Sequence, residues 1–208
     1  GKSTFFNLLT GLYRPTRGRV FFAGQEITHL SPESRVSLGM ARTFQLASVV
    51  TGLTVIQNVL LATCRTRQKN PRFFLGLPRQ EAVEKAYAAL TRVGLAAQAE
   101  RPVAELSYGD RRKVEIAMAL ALEPLVLMLD EPFAGLSEAE ITEILALLKQ
   151  LKGNFALVLI EHKISRLVDL VERLSVMHEG RLIAEGAPAE VLKNPAVRQV
   201  YWQRGADD

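Results

Sequence analysis

Leu125-Val-Leu-Met-Leu-Asp-Glu131 is the stretch on which the fold turns. Five apolar residues run without a polar neighbour and stop at two carboxylates. A half-exposed strand would alternate polar and apolar residues, so an unbroken run this short fits a strand covered on both faces. Phe155-Ala-Leu-Val-Leu-Ile160 reads as a second buried strand, ending at Glu161-His162. Between them, Glu138–Lys149 carries helical spacing. Strand, helix, strand is the unit of an α/β fold with a parallel sheet, and such sheets gather ligands at the carboxyl ends of their strands. Asp130, Glu131 and His162 stand at those ends.

Working outward, Ile164–Val171 reads as helix, then two short strands, Arg173–His178 and Arg181–Glu185, flank Glu179-Gly180. Small helices are predicted near Pro188–Lys193 and Pro195–Trp202. Upstream, Ser107–Glu123 reads as a helix, and the whole span from about 55 to 122 is helical in pattern, with Ala82, Val83, Ala86, Tyr87, Leu90 and Val93 on one stripe. Near the start, Gly1-Lys-Ser-Thr4 runs into a helix that Gly11 and Pro15 end, Gly18–Gly24 holds a hairpin strand, and Ser31-Pro32 opens a helix. Strand and helix alternate at both ends with a helical block between. The expectation is one domain over 1–208, with a core from 1–45 and 123–208 and an inserted helical lobe over about 46–122.

The bulk numbers agree. The chain has 208 residues, 48% of them hydrophobic, which supports a sizeable core and excludes disorder. A formal charge of +4 with scattered basic residues gives no nucleic-acid footprint. Arg65, Arg67, Lys69, Arg72 and Phe73-Phe74 form the densest basic run, read as an exposed loop or a membrane- or partner-facing patch. Cys64 is the one cysteine, so no internal disulfide forms, and the composition fits a reducing compartment. The apolar stretch Ile116–Leu122 falls far short of the roughly 20 residues a membrane span needs, so membrane association is expected to run through a partner.

Gly1-Lys2-Ser3-Thr4 matches the end of the phosphate loop G-x-x-x-x-G-K-[ST]. That chemistry needs backbone N–H groups at a helix N-terminus, a lysine for the β- and γ-phosphates and a hydroxyl for Mg²⁺. Four residues alone could equally be an ordinary helix start. Asp130 is suited to holding Mg²⁺ through water and Glu131 to deprotonating an attacking water, although both also suit a turn before Pro132 and Gly135. In Leu106-Ser-Tyr-Gly-Asp110, Ser107 and the Gly109 amide suit an anion, or Ser107 or Asp110 is a plain N-cap. His162 and Gln45 have bland readings too, as a core histidine and a loop amide. His29 and His178 are assigned to structure or solvent.

The order of these motifs carries more than any one of them. A Gly-Lys-Ser-Thr, a lone Gln, Leu-Ser-x-Gly, a strand ending in Asp-Glu and a strand ending in His occur in turn. The chain thereby resembles the ABC ATPase family along essentially its whole length. The resemblance implies a P-loop-type parallel sheet with some antiparallel β, and ATP and Mg²⁺ as ligands. It implies that Gly1, Lys2, Ser3 and Thr4 end Walker A and that Gln45 touches Mg²⁺ and the transport partner. Ser107 and Gly109 lie in the signature, Asp130 is the Walker B aspartate, Glu131 the catalytic glutamate and His162 the switch histidine. The metal set it implies is Ser3, Gln45 and Asp130. Ala134-Gly-Leu-Ser137 stands at the D-loop, with Ser137 a departure from its usual ending, and Tyr108 and Asp110 depart from the general signature.

Within the family, Arg42-Thr-Phe-Gln45, Leu53-Thr-Val55, Leu106–Asp110, Pro132–Leu136 and Gly186-Ala-Pro-Ala-Glu-Val-Leu192 resemble the ATPases of branched-chain amino acid importers. This resemblance implies ATP-driven pairing with a second copy or a paralogous ATPase subunit. Transmembrane permease subunits and, indirectly, a periplasmic or extracellular solute-binding protein are the other implied partners. The implied place is the cytoplasmic face of the membrane. The permease would dock on the helical lobe, nearest the groove at Gln45–Gln57. Two other readings stay open: a soluble ABC ATPase of repair or translation, and a remnant that does not turn over ATP. The remnant reading is motivated by the sequence entering the phosphate loop at Gly1. The earlier glycines, the strand ahead of them and an adenine-stacking aromatic are expected upstream, and the 208 residues alone are expected to bind ATP poorly.

Overall fold

The computed structural model describes residues 1–43, 49–64, 80–162 and 164–202, with side chains to 200 except that of Cys64. A three-stranded parallel sheet lies at its centre: β3 (Met40–Arg42), β4 (Val126–Asp130) and β5 (Ala156–Ile160), with β4 in the middle. Met40 pairs with Val126 and Val126 with Ala156, which brings Asp130 level with Ile160. Two antiparallel hairpins accompany it, β1 (Phe21–Phe22) with β2 (Gln25–Glu26), and β6 (Leu174–His178) with β7 (Arg181–Gly186). The helices are α1 (Lys2–Leu9), α2 (Pro32–Ser37), α3 (Val55–Cys64), α4 (Gln80–Arg92), α5 (Tyr108–Leu120), α6 (Glu138–Leu151), α7 (Pro188–Val191) and α8 (Pro195–Trp202).

β4 explains why its sequence shows no alternation. Leu127 and Leu129 join the large core that α3, α4, α5 and α6 share, while Met128 packs on the other face with Phe6, Ile27, Met40 and Ile160. Both faces are apolar, so the period of two vanishes. The strand begins one residue later than the apolar run, because Leu125 is 61% exposed at the entrance.

The structure corrects two expectations. Phe155–Ile160 reads as a second strand buried on both faces, yet only Ile160 in β5 is buried, and Ala156 and Val158 are exposed. Among the described strands β5 pairs on one side only, with β4, so it has the cover of an outer strand. Ile164–Val171 reads as helix, but it forms a single 3₁₀ turn at Ile164–Arg166 followed by turns. Within the helical span from 55 to 122, two 3₁₀ turns, Ala96–Gln98 and Val103–Glu105, separate α4 from α5.

Local chemistry sets the helix starts. The Ser31 hydroxyl accepts from the Ser34 N–H with Pro32 in the first turn, and the Ser107 hydroxyl accepts from the Asp110 N–H. Ser137 and Glu140 form a reciprocal capping box at α6. At the far end of α1, the buried Arg35 guanidinium donates to the carbonyls of Leu8 and Leu9, at 2.8 and 2.6 Å, and to those of Thr28 and Leu30. It satisfies carbonyls that a helix end leaves open and so fixes where α1 stops.

Candidate nucleotide site

α1 begins at the chain's first residues, and its N-terminal turn opens into a cleft lined by Gly1, Lys2, Ser3, Glu131, His162, Met177, His178 and Glu179. The Phe5 N–H donates to the Gly1 carbonyl at 2.9 Å, closing the first turn. The N–H groups ahead of that bond are the kind that a helix N-terminus offers to an anion.

Glu131 enters the cleft from the end of β4. Its N–H donates to the Ile160 carbonyl at 2.9 Å, which extends the ladder by one residue. The backbone then turns with φ +50° at Glu131. A left-handed conformation costs a non-glycine residue about 1–3 kcal/mol and tends to sit where function demands it. From β5 comes His162, 60% exposed, with Nε2 3.0 Å from Glu131 Oε1. Lys2 Nζ lies 3.3 Å from His162 Nδ1. A neutral imidazole with its proton on Nε2 satisfies both contacts, accepting from the lysine and donating to the carboxylate. A cation, a histidine and a carboxylate from three elements thus form one chain of hydrogen bonds.

Asp130 lies behind this chain, 1% exposed, with Oδ2 2.7 Å from Arg42 Nη2. Its other oxygen, Oδ1, is buried and has no hydrogen-bond partner among the described residues. Among the described residues, no group of three or more His, Cys, Asp or Glu is placed to hold a metal alone. Asp130 is not itself among the residues lining the cleft, which its chain neighbour Glu131 enters. Mg²⁺ is bound through one or two carboxylates together with substrate phosphates, and an unused carboxylate oxygen one residue from the cleft fits that donor set.

Glu161 belongs to none of the sequence motifs. Its carboxylate accepts from the Phe133 N–H at 3.1 Å and the His162 N–H at 3.2 Å, joining the turn after Glu131 to the end of β5. Burial pushes it above the ordinary carboxylate range, against the opposing effect of those two N–H groups. His178, assigned to structure or solvent, instead lines the cleft at the β6–β7 turn. No sequence signal marks it: only the fold brings the β6–β7 turn against the start of α1, where a Cβ on Gly1 would approach Gly180 Cα to 3.1 Å.

The structure does not bring Ser107 and Gly109 to this cleft. The Gly109 N–H donates instead to Glu140 Oε1 at 2.8 Å. That bond and those from Ser137 hold the Glu140 carboxyl below its usual range, with the Ser137 N–H the largest cause. Thr4 is exposed on the first turn of α1. Gln45 and the basic run from Arg65 to Phe74 lie outside the described residues.

Comparison with known proteins bears on this geometry. The family described as ABC transporter matches residues 1–134, and one described as Branched-chain amino acid ATP-binding cassette transporter matches residues 181–201. The chain is 36% identical over 211 residues to the high-affinity branched-chain amino acid transport ATP-binding protein LivG of Escherichia coli K12, covering 97% of this chain and 82% of that protein. It is also 36% identical over 202 residues to the lipopolysaccharide export system ATP-binding protein LptB of Acidithiobacillus ferridurans, covering 97% and 80%. Its fold matches the crystal structure of an ATP-binding cassette of an ABC transporter in its ADP conformation, with a TM-score of 0.86, 32% identity and coverage of 97% and 83%. An α/β core, a phosphate-type helix start sharing a cleft with the strand-end carboxylate of Glu131, and these matches along the chain have one explanation: the chain belongs to the ABC transporter ATP-binding family, whose members hydrolyse ATP.

Proposed function

We propose that the cleft at Lys2, Ser3, Glu131 and His162 is the ATP-hydrolysing site of an importer subunit for branched-chain amino acids. The observation that supports it most is the Lys2–His162–Glu131 chain at the mouth of α1. Lys2 and the first N–H groups of α1, with Gly1 and Thr4, meet the β- and γ-phosphates. Ser3 and Asp130, with Gln45, hold Mg²⁺, which when bound neutralises charge on the phosphoryl oxygens. Glu131 takes the proton of the attacking water as its oxygen bonds to the γ-phosphorus and the bond to the β–γ bridging oxygen breaks. His162 donates to the γ-phosphate and, before that, keeps the Glu131 carboxylate in place.

ABC ATPases dimerise and work with transmembrane permease subunits. The position of Ser107 and Gly109 away from the cleft favours a site completed by the signature of a second copy or a paralogous subunit. Among the described residues no helix is long and apolar enough to cross a membrane. We therefore place the protein on the cytoplasmic face of the membrane, bound to its permease through a helical lobe at about 46–122 and, indirectly, serving a solute-binding protein. The substrate class rests on the likeness to LivG and on the match at residues 181–201, against an equal identity to a lipopolysaccharide exporter's ATPase.

Two measurements test this. In a version carrying the complete phosphate loop, Glu131→Gln should lower steady-state hydrolysis by about 10²–10⁴-fold while nucleotide affinity survives, as loss of a general base does. Wild-type turnover in that variant removes Glu131 from the chemistry. Labelled-leucine uptake in cells lacking their own importer ATPase tests the substrate: restored uptake supports the importer, and restored lipopolysaccharide export in its place sinks it.

A further inference from the structure

We infer that Arg42 is a positioning residue for the phosphate and metal site, holding one oxygen of Asp130 so that the other faces the cation, and fastening α1 to β4 with the same guanidinium. The inference rests on reading Ser3 and Asp130 as the residues that hold Mg²⁺. Arg42 ends β3, and its side chain is 8% exposed. Nη2 donates to Asp130 Oδ2 at 2.7 Å. Nη1 donates to Asn7 Oδ1 at 2.6 Å and to Thr10 Oγ1 at 3.3 Å. The guanidinium carbon lies 5.5 Å from the centre of the Phe6 ring, itself buried.

The spacing of the α1 contacts gives them meaning. Ser3, Asn7 and Thr10 stand at i, i+4 and i+7, which is one stripe of a helix. A clamp on Asn7 and Thr10 therefore fixes the rotation of the helix that presents Ser3. On the other side, the same clamp holds Oδ2 of Asp130, leaving Oδ1 buried and without a hydrogen bond among the described residues. One planar fork thus sets both halves of the metal site. A lysine carries the charge, but its single ammonium cannot span Asp130 and Asn7 with a fixed fork. Burying the pair is not a source of stability by itself, because desolvating both ions costs about what their attraction returns. Such a pair is better explained by what it orients, and groups behind a metal ligand commonly do that.

The test uses Mn²⁺ as the probe, read by electron paramagnetic resonance with ATP present, and ATP affinity in EDTA by calorimetry. Arg42→Lys and Arg42→Met should weaken Mn²⁺ binding about 10–100-fold, as loss of a group behind a metal ligand does. ATP affinity in EDTA should stay within about twofold, since Asn7, Thr10, Phe6 and Asp130, which the guanidinium touches, are not among the residues lining the cleft at Lys2. Asn7→Ala, which leaves the Arg42–Asp130 pair in place, should move Mn²⁺ affinity the same way by less, and it keeps the test open if Arg42→Met fails to fold. Unchanged Mn²⁺ affinity in folded Arg42→Lys and Asn7→Ala overturns the inference. So does an equal loss of ATP affinity with and without metal, which marks a merely structural clamp. If a wild type that binds ATP in EDTA binds no Mn²⁺ with it, the metal-site reading fails and the inference with it, an outcome distinct from variants that match a binding wild type.

Discussion

Glu161 shows how a single residue's surroundings change what its type would suggest. Burial raises its carboxyl above the ordinary 4.5, and the Phe133 and His162 N–H groups only partly offset this. A carboxyl raised in the folded state contributes stability that is full below its unfolded value and is lost as pH rises through its folded value. Glu161→Gln should therefore flatten the stability profile in the interval just above 4.5. Urea midpoints at half-unit pH steps check it, and parallel curves for variant and wild type would count against it. The residues proposed for the nucleotide site are legible in the sequence because their spacing is local: Lys2 and Ser3 are neighbours, and Asp130 and Glu131 end one strand. Arg42, Glu161 and Glu140 are not, because each acts on a partner many residues away. Arg42 and Asp130 are 88 apart, and nothing in a run such as Ala41-Arg42-Thr43 says which carboxylate it will meet.

At the scale of elements, Ser137 joins the starts of two helices. Its hydroxyl caps α6 and pairs with Glu140, whose carboxylate also accepts from Gly109 at the start of α5. The turn after Glu131 and the start of α5 are thereby held together within one chain. Ser137→Ala should cost about 1 kcal/mol through the lost cap. It should also quicken hydrogen exchange at the Gly109 amide, because Glu140 loses the partner that aims it. Unchanged exchange at Gly109 would show that Glu140 is aimed by something else. Capped helices are the most legible elements, since serine before an acidic residue states its own geometry at residues 31, 107 and 137. The second sheet strand is the least, because apolar sequence does not say whether a strand is inner or outer. Ala156 and Val158 read as core and lie exposed.

For the molecule as a whole, the decisive fact is that, among the described residues, the helices between 55 and 120 share one core with the sheet. Val55, Val59, Leu90, Val114 and Ile116 belong to the same buried cluster as Leu127 and Leu129 of β4 and Ile144 and Leu148 of α6. A helical block is legible from its stripe of apolar residues, but the stripe cannot tell whether it packs on itself or on the sheet. Because the cluster is continuous, α3 and α4 should unfold together with the sheet rather than ahead of it. Leu90 and Leu129 are both fully buried, one on α4 and the other on β4. Truncating either to alanine should cost about 2–5 kcal/mol, the usual range for a buried leucine whose cavity only partly collapses. The two substitutions should lower one shared midpoint, tracked by far-ultraviolet circular dichroism for the helices and by hydrogen exchange at Met128 for the sheet. If Leu90→Ala instead splits the melt, with helix signal lost while the Met128 amide stays protected, the lobe is an independent unit and the shared-core argument is wrong.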